Sequence, residues 1–161
     1  MNYFLRMLGD HGLAEDLAQE VFLRVYKARQ RYQPDARFTT WLYRIATNLA
    51  LNAIRDRQGE GPLRATEVEG AEPVEVRIAD PKPNIEQQLM EGDRDRLIRE
   101  AVNGLPANQR AAVILHKYQE VDYRQIARIL KVSESAVKSL LFRAYETLRA
   151  RLEPLLREGQ I

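Results

Sequence analysis

Residues 122–152, DYRQIARILKVSESAVKSLLFRAYETLRARL, constrain this chain more than any other stretch. Two helical periodicities stand there on either side of three residues that fit neither. The pattern predicts a short helix, a tight turn and a long basic helix, which is a helix-turn-helix able to lie in a DNA major groove. Ile126, Ala127, Ile129 and Leu130 give the first helix its apolar face. Lys131, Val132 and Ser133 make the turn, with Val132 expected to plug inward and Ser133 to cap the helix that follows. In the second helix Val137, Leu141, Ala144 and Leu148 recur at spacings of four, three and four, a buried stripe. Ser135, Lys138, Ser139 and Arg143 are left on the outward surface, where hydroxyls and cations suit base edges and phosphates. The motif alone specifies a DNA binder without saying which kind.

Composition removes several classes. With no cysteine there is no disulfide framework and no thiolate metal site. His11 and His116 are the only histidines, so a zinc site would have to be completed by carboxylates, and no metal or other cofactor is expected. No apolar run approaches a membrane span or a signal peptide, so the chain is expected to be cytoplasmic, without membrane insertion. The net charge of +2 hides an uneven distribution. Residues 1–58 carry nine Lys/Arg against six Asp/Glu, residues 59–95 four against ten, and residues 96–161 twelve against seven. Two basic blocks flank an acidic one, which points to nucleic acid contact at both ends.

Residues 13–31 read as an amphipathic helix through Leu13, Leu17, Val21 and Val25, broken at Gln33-Pro34-Asp35. A second helix over 39–57 is expected to bury Trp41, Leu42, Ile45, Leu49 and Ala53. Residues 59–83 hold three glycines and four prolines among many glutamates and read as a flexible linker. Asn84 with Gln87 forms a capping box for a third helix carrying Leu89, Leu97, Ile98 and Ala101. Gly104-Leu105-Pro106 separates it from a fourth, about 107–118, with Val113, Ile114 and Leu115. No segment reads as a strand. The expected fold is all-α: two small helical domains, 1–58 and 95–161, joined by a flexible acidic linker over 59–94 that leads into a helix, with a helix-turn-helix in the C-terminal domain.

Two segments of the first domain carry polar patterns. Asp16, Gln19 and Glu20 fall at i, i+3 and i+4, so they share one helix face opposite the leucine/valine stripe. Such a compact acidic and amide patch suits a basic protein partner, although solvated helix faces often look the same. Along the next helix Thr40, Tyr43, Arg44, Thr47, Asn48, Asn52 and Arg55 form a row expected to be exposed. Aromatic, amide and cationic groups in one row can stack on unpaired bases and hold their backbone.

At this point the chain resembles the bacterial sigma factors, specifically the compact extracytoplasmic-function group built from two conserved domains. AEDLAQEVFLRVY followed by FTTWLYRIATNLALNAIRDR looks like the family's domain two. LPANQRAAVILHKYQEVDYRQIARILKVSESAVKSLLFRAYETLRARL is similar to its domain four. The blocks stand in the family's order and together cover about two thirds of the chain.

The resemblance implies a protein with no catalytic act of its own, which binds core RNA polymerase and directs initiation at promoters. Asp16, Gln19 and Glu20 match the face that grips the coiled coil of the polymerase's largest subunit, and the flap is implied as a second contact. Residues 30–38, Arg37 among them, match the loop that receives a flipped base of the minus-ten element. Thr40, Tyr43, Arg44, Asn48, Asn52 and Arg55 lie on the helix that follows the melted strand. Ser133, Glu134, Ser135, Lys138, Ser139 and Arg143 match the start and outward face of the helix that reads the minus-thirty-five element as duplex. An anti-sigma protein is implied as a further partner.

This chain also departs from the family's pattern. Only residues 1–13 precede the AEDL block, where the family has a long helix; Tyr3, Phe4, Leu5, Met7 and Leu8 are expected to pack on the first domain as its remnant, with a thinner core. Ala136 stands where a threonine is frequent, Leu140 where a basic residue is, and Asn52 where aspartate is. Two other readings remain at this stage. A stand-alone regulator would bring a symmetric dimer and palindromic half-sites. A helical nucleic-acid enzyme would need more ligands than Asp16 and Glu20 provide.

Overall fold

The computed structural model describes residues 2–32, 37–59 and 85–157. Seven α-helices fill them: α1 (Asn2–Leu8), α2 (His11–Ala28), α3 (Phe38–Arg57), α4 (Ile85–Asn103), α5 (Ala107–Val113), α6 (Tyr123–Leu130) and α7 (Glu134–Arg157). Helix α2 tightens into a 3-10 turn at Arg29–Arg31, and α5 loosens into a π-helical turn at Ile114–Tyr118. No strand occurs among the described residues, so the fold is all-α as expected. Residues 60–84, with the expected linker and the capping Asn84, lie outside the described residues.

The first block is α1, α2 and α3. Gly9 adopts a positive φ of 67° between α1 and α2, a backbone state open to glycine at little cost. Asp10 then caps α2 by accepting the Leu13 N–H at 3.0 Å. Arg57, at the end of α3, donates to the same carboxylate at 2.6 Å and so ties the far end of α3 to the α1–α2 turn. The Leu13 amide first, and then Arg57, hold the Asp10 carboxyl below its ordinary pKa. Tyr3, Phe4 and Met7 of α1 are buried, and the Tyr3 and Thr47 hydroxyls share a 2.6 Å hydrogen bond. Burial pushes the Tyr3 phenol well above its usual range, and Thr47 opposes this in part. The expected thin remnant is therefore a full member of the core, with Met7 at 0% exposure. Met7→Ala should cost about 2–5 kcal/mol in urea unfolding. A loss within a few tenths of a kcal/mol would show that α1 contributes nothing to stability.

The second block is α4 to α7. Leu105, Ala111 to Leu115, Ile126, Ile129, Val137, Leu141 and Ala144 are buried, as the spacing requires. Arg151 donates to the carbonyls of Ala101 and Gly104, and Arg110 to those of Asn103 and Leu105, so two guanidiniums satisfy the carbonyl end of α4. Lys131 closes α6 in the left-handed region at φ 56°, with the Val132 N–H bonded to the Ala127 carbonyl at 3.0 Å. This corrects one expectation. Val132 does not plug inward but is 39% exposed, because the reversal at Lys131 turns the chain outward before it. The buried residues on either side of the turn are Ile129 and Val137.

The two blocks also pack on each other. Helix α3 lies against α5 and α6, and α1 against α4 and the π-helical turn. One continuous cluster of buried residues runs from Tyr3 to Ala144.

Candidate protein and nucleic-acid interfaces

Three surfaces carry the residues singled out by sequence. On α2, Asp16 and Gln19 are exposed, while Glu20 is half-buried and bonded to Arg24 at 2.6 Å. The three share one face. Sequence reading missed its continuation: Phe22, Leu23 and Tyr26 are all exposed, Phe22 at 71%. They follow Gln19 by three, four and seven residues, so apolar surface extends the polar patch along the helix. An apolar residue on the polar side of an amphipathic helix was the available signal.

On α3 the expected exposed row divides. Arg44, Asn52 and Arg55 are exposed and Asn48 is half-buried, and these four hold one face. Thr40 and Thr47 do not join them, at 6% and 0% exposure. Tyr43 is half-buried, its hydroxyl bonded to Gln119 Oε1 and its ring edge-on to Tyr3 at 5.5 Å. The physical reason is a second apolar ridge: Tyr43, Thr47, Ala50 and Ile54 recur at four, three and four. The expected ridge, through Leu42, Ala46, Leu49 and Ala53, faces the core beside it, with Ala46 and Leu49 buried. Two buried ridges leave only the narrow face of Arg44, Asn48, Asn52 and Arg55 for a ligand.

At the start of α3 three aromatic rings gather. Tyr32, Phe38 and Trp41 have ring centroids 5.1–5.9 Å apart, Phe38 being about half exposed. Trp41 is thus half-buried in an aromatic trio and not fully in the core. Arg37 is exposed next to them and occupies the N-cap position of α3 without a side-chain cap. Residues 33–36 of the expected base-receiving loop lie outside the described residues.

On the helix-turn-helix, Ser133, Glu134, Ser135, Lys138, Ser139 and Arg143 are all exposed. Ser133 caps α7 by accepting the Ala136 N–H at 3.1 Å, and its hydroxyl lies 3.0 Å from that of Ser135. Ser139 donates its hydroxyl proton to the Ser135 carbonyl at 3.1 Å. These hydroxyls are engaged locally, so Lys138 and Arg143 carry most of what this face offers a phosphate or a base. Ser133→Ala should lower stability by about 1 kcal/mol through the lost cap. Thermal unfolding checks this, and an unchanged midpoint would remove the capping role. Phe142, 68% exposed beside Lys138 and Arg143, is a further surface residue that the sequence reading passed over. Among the described residues no group of acidic or histidine side chains could hold a metal ion, and no helix is long and apolar enough to cross a membrane.

Comparison with known proteins places these surfaces in context. Residues 1–60 match the family described as sigma-70 region 2, and residues 95–148 the one described as sigma-70, region 4. The RNA polymerase sigma-H factor of Pseudomonas aeruginosa is 31% identical over 160 residues, covering 99% of this chain and 83% of that protein. The ECF RNA polymerase sigma factor SigW of Bacillus subtilis is 34% identical over 152 residues, 93% of this chain and 81% of that one. Among solved structures, the sigma factor RpoE of Bartonella quintana, in complex with the anti-sigma factor NepR, superposes with a TM-score of 0.66 at 23% identity. That match covers 94% of this chain and 88% of the other. CnrH, in complex with the cytosolic domain of CnrY, gives 0.64 at 20% identity over 94% and 79% of the two chains. At these identities the structural likeness speaks for the fold.

Proposed function

Because this chain belongs to the extracytoplasmic-function group of bacterial RNA polymerase sigma factors, carrying the family's regions 2 and 4, we propose that it docks on core polymerase through α2. It then reads a promoter at two separate places. Asp16, Gln19 and Glu20 hold the coiled coil of the largest subunit. Arg37, Arg44, Asn48, Asn52 and Arg55 follow the melted minus-ten strand, with the rings around Phe38 available to stack on an unpaired base. Lys138 and Arg143, on the outward face of α7, read the minus-thirty-five element as duplex. The observation that carries this reading is the separation of tasks on the surface. An acidic face, a cationic and amide face beside clustered aromatic rings, and a basic recognition face stand on three different helices.

Catalysis belongs to the polymerase. The chain supplies binding energy, and capturing an extruded base between stacked neighbours offsets a few kcal/mol of the cost of melting. Two modest readers joined in one chain gain affinity through effective concentration. Control by an anti-sigma protein is part of the proposal, supported by the structure of RpoE in complex with the anti-sigma factor NepR.

The test is run-off transcription with core polymerase on a library of promoter fragments, paired with co-elution of chain and core on size exclusion. Co-elution together with transcripts that start at one class of fragment is expected. A chain that binds DNA fragments as a symmetric dimer and never associates with core would overturn the reading.

A further inference from the structure

A cavity of about 450 Å³ lies where α1 meets the last turns of α4 and the π-helical turn. It shares no residue with the surfaces assigned above to polymerase and promoter. Its volume falls in the range of about 300–1,000 Å³ that small-molecule sites occupy. Leu5 and the Tyr118 ring supply apolar wall, with the buried Val102 and Ile114 beside them. Its charge is one-sided: among the described residues, Arg6, Arg96 and Arg99 line it against the single carboxylate of Glu100. Neither Arg6 nor Arg99 forms an ion pair with a described residue. Arg6 sits over the Tyr118 ring, 3.9 Å from its centroid, a contact that steadies the guanidinium and leaves its N–H edge to donate.

Like charges gathered in one concave wall repel each other, and an anion seated among them relieves that cost. A guanidinium fork matches the oxygens of a phosphate. Asn2 and Asn103 add side-chain amides to the lining, each with donors and an acceptor for the edge of a heterocycle. Gly9 lets Asn103 come this close, since a Cβ there would stand 3.3 Å from its Nδ2. Cations for phosphate, amides for a ring edge and an apolar wall for a ring face thus meet in one cavity.

We propose that this cavity binds a single nucleotide, its phosphates held by Arg6 and Arg99 and its base laid against Leu5 and Tyr118. Arg96 adds charge to the same wall and Glu100 opposes it. An inorganic anion would leave the apolar wall and both amides unused, and a nucleoside would leave the arginines without a counter-charge. The proposal goes beyond the sigma reading and stands whether or not the chain directs transcription.

Isothermal titration of the full chain with ADP, GDP, CDP and UDP tests this. At least one should bind one to one, with a Kd between about 10 µM and 1 mM. Its nucleoside and inorganic pyrophosphate should each bind weaker by about tenfold or more. Arg99→Ala should weaken the nucleotide by about tenfold through the lost charged hydrogen bonds. The unfolding midpoint should not move, since Arg99 is exposed. Glu100→Gln removes the opposing carboxylate and should tighten binding by about threefold, a gain that misfolding cannot produce. Arg128→Ala, an exposed cation of α6 outside the cavity, should leave binding as it was. No binding of any of the four up to about 5 mM would overturn the proposal. Pyrophosphate binding as tightly as the nucleotide would overturn it as well, because the site would then hold phosphate alone. So would Arg99→Ala and Glu100→Gln without effect, or Arg128→Ala as costly as Arg99→Ala, which would mean diffuse attraction to a basic chain.

Discussion

Asp16→Lys is expected to weaken association with core polymerase on the order of a hundredfold, since a like charge set against a basic partner costs several kcal/mol. The unfolding midpoint should stay where it is. Asp16 is exposed on α2, so the substitution disturbs no packing. Its neighbour Glu20 is already bonded to Arg24, which leaves Asp16 with the more available charge on this face. The apolar residues that continue the patch, Phe22 and Leu23, supply area that the reversal does not touch. Part of the affinity should therefore survive, and the loss should shrink as salt is raised and screening grows. Interferometry of core against wild-type and variant chains at two salt concentrations measures both effects. Equal affinities would remove α2 from the polymerase interface.

How much of this was legible beforehand depends on the kind of signal. The helix-turn-helix was, because Val137, Leu141 and Ala144 repeat at helical spacing and Ser133 has the chemistry of a cap. Both features are local, and the structure repeats them. Helix α3 was legible only in part. Threonine and tyrosine read as polar, yet Thr47 is fully buried because Tyr3, forty-four residues away, satisfies its hydroxyl. A satisfied hydroxyl is tolerated in a core, and nothing local to Thr47 announces the partner. At Val132 the reason is in the backbone: an apolar residue in a turn reads as pointing inward, but the left-handed Lys131 sets its direction. The packing of one block on the other was invisible to periodicity. Arg110 and Gln119 look like surface residues until Met7 and Tyr43 arrive beside them from the other block. Family resemblance works at the same level as local patterns do. It assigns positions along a helix and cannot report what lies against them.

The same reasoning ranks the residues of α7. Lys138→Ala combined with Arg143→Ala is expected to weaken minus-thirty-five duplex binding roughly ten- to a hundredfold, a base or phosphate contact being worth about 1–3 kcal/mol. It should also make the plot of log affinity against log salt shallower by about two, if each cation displaces close to one counterion from the duplex. The two readouts separate what each cation does. A group that only neutralises a phosphate weakens all sequences alike and takes its share of the slope, whereas one that reads a base edge also relaxes specificity at one position. The serines should rank below both. Ser139 has given its proton to the Ser135 carbonyl and Ser133 accepts from Ala136, so each offers DNA little beyond an acceptor lone pair. Ser139→Ala should then change duplex affinity less than threefold, a bound set by a hydrogen bond worth about 0.5 kcal/mol. Salt titrations of the single and double variants on one labelled duplex decide the ranking. A double variant that keeps the wild-type slope would place the DNA on another face, and Ser139→Ala exceeding it in cost would mean that the hydroxyl leaves its carbonyl to read a base.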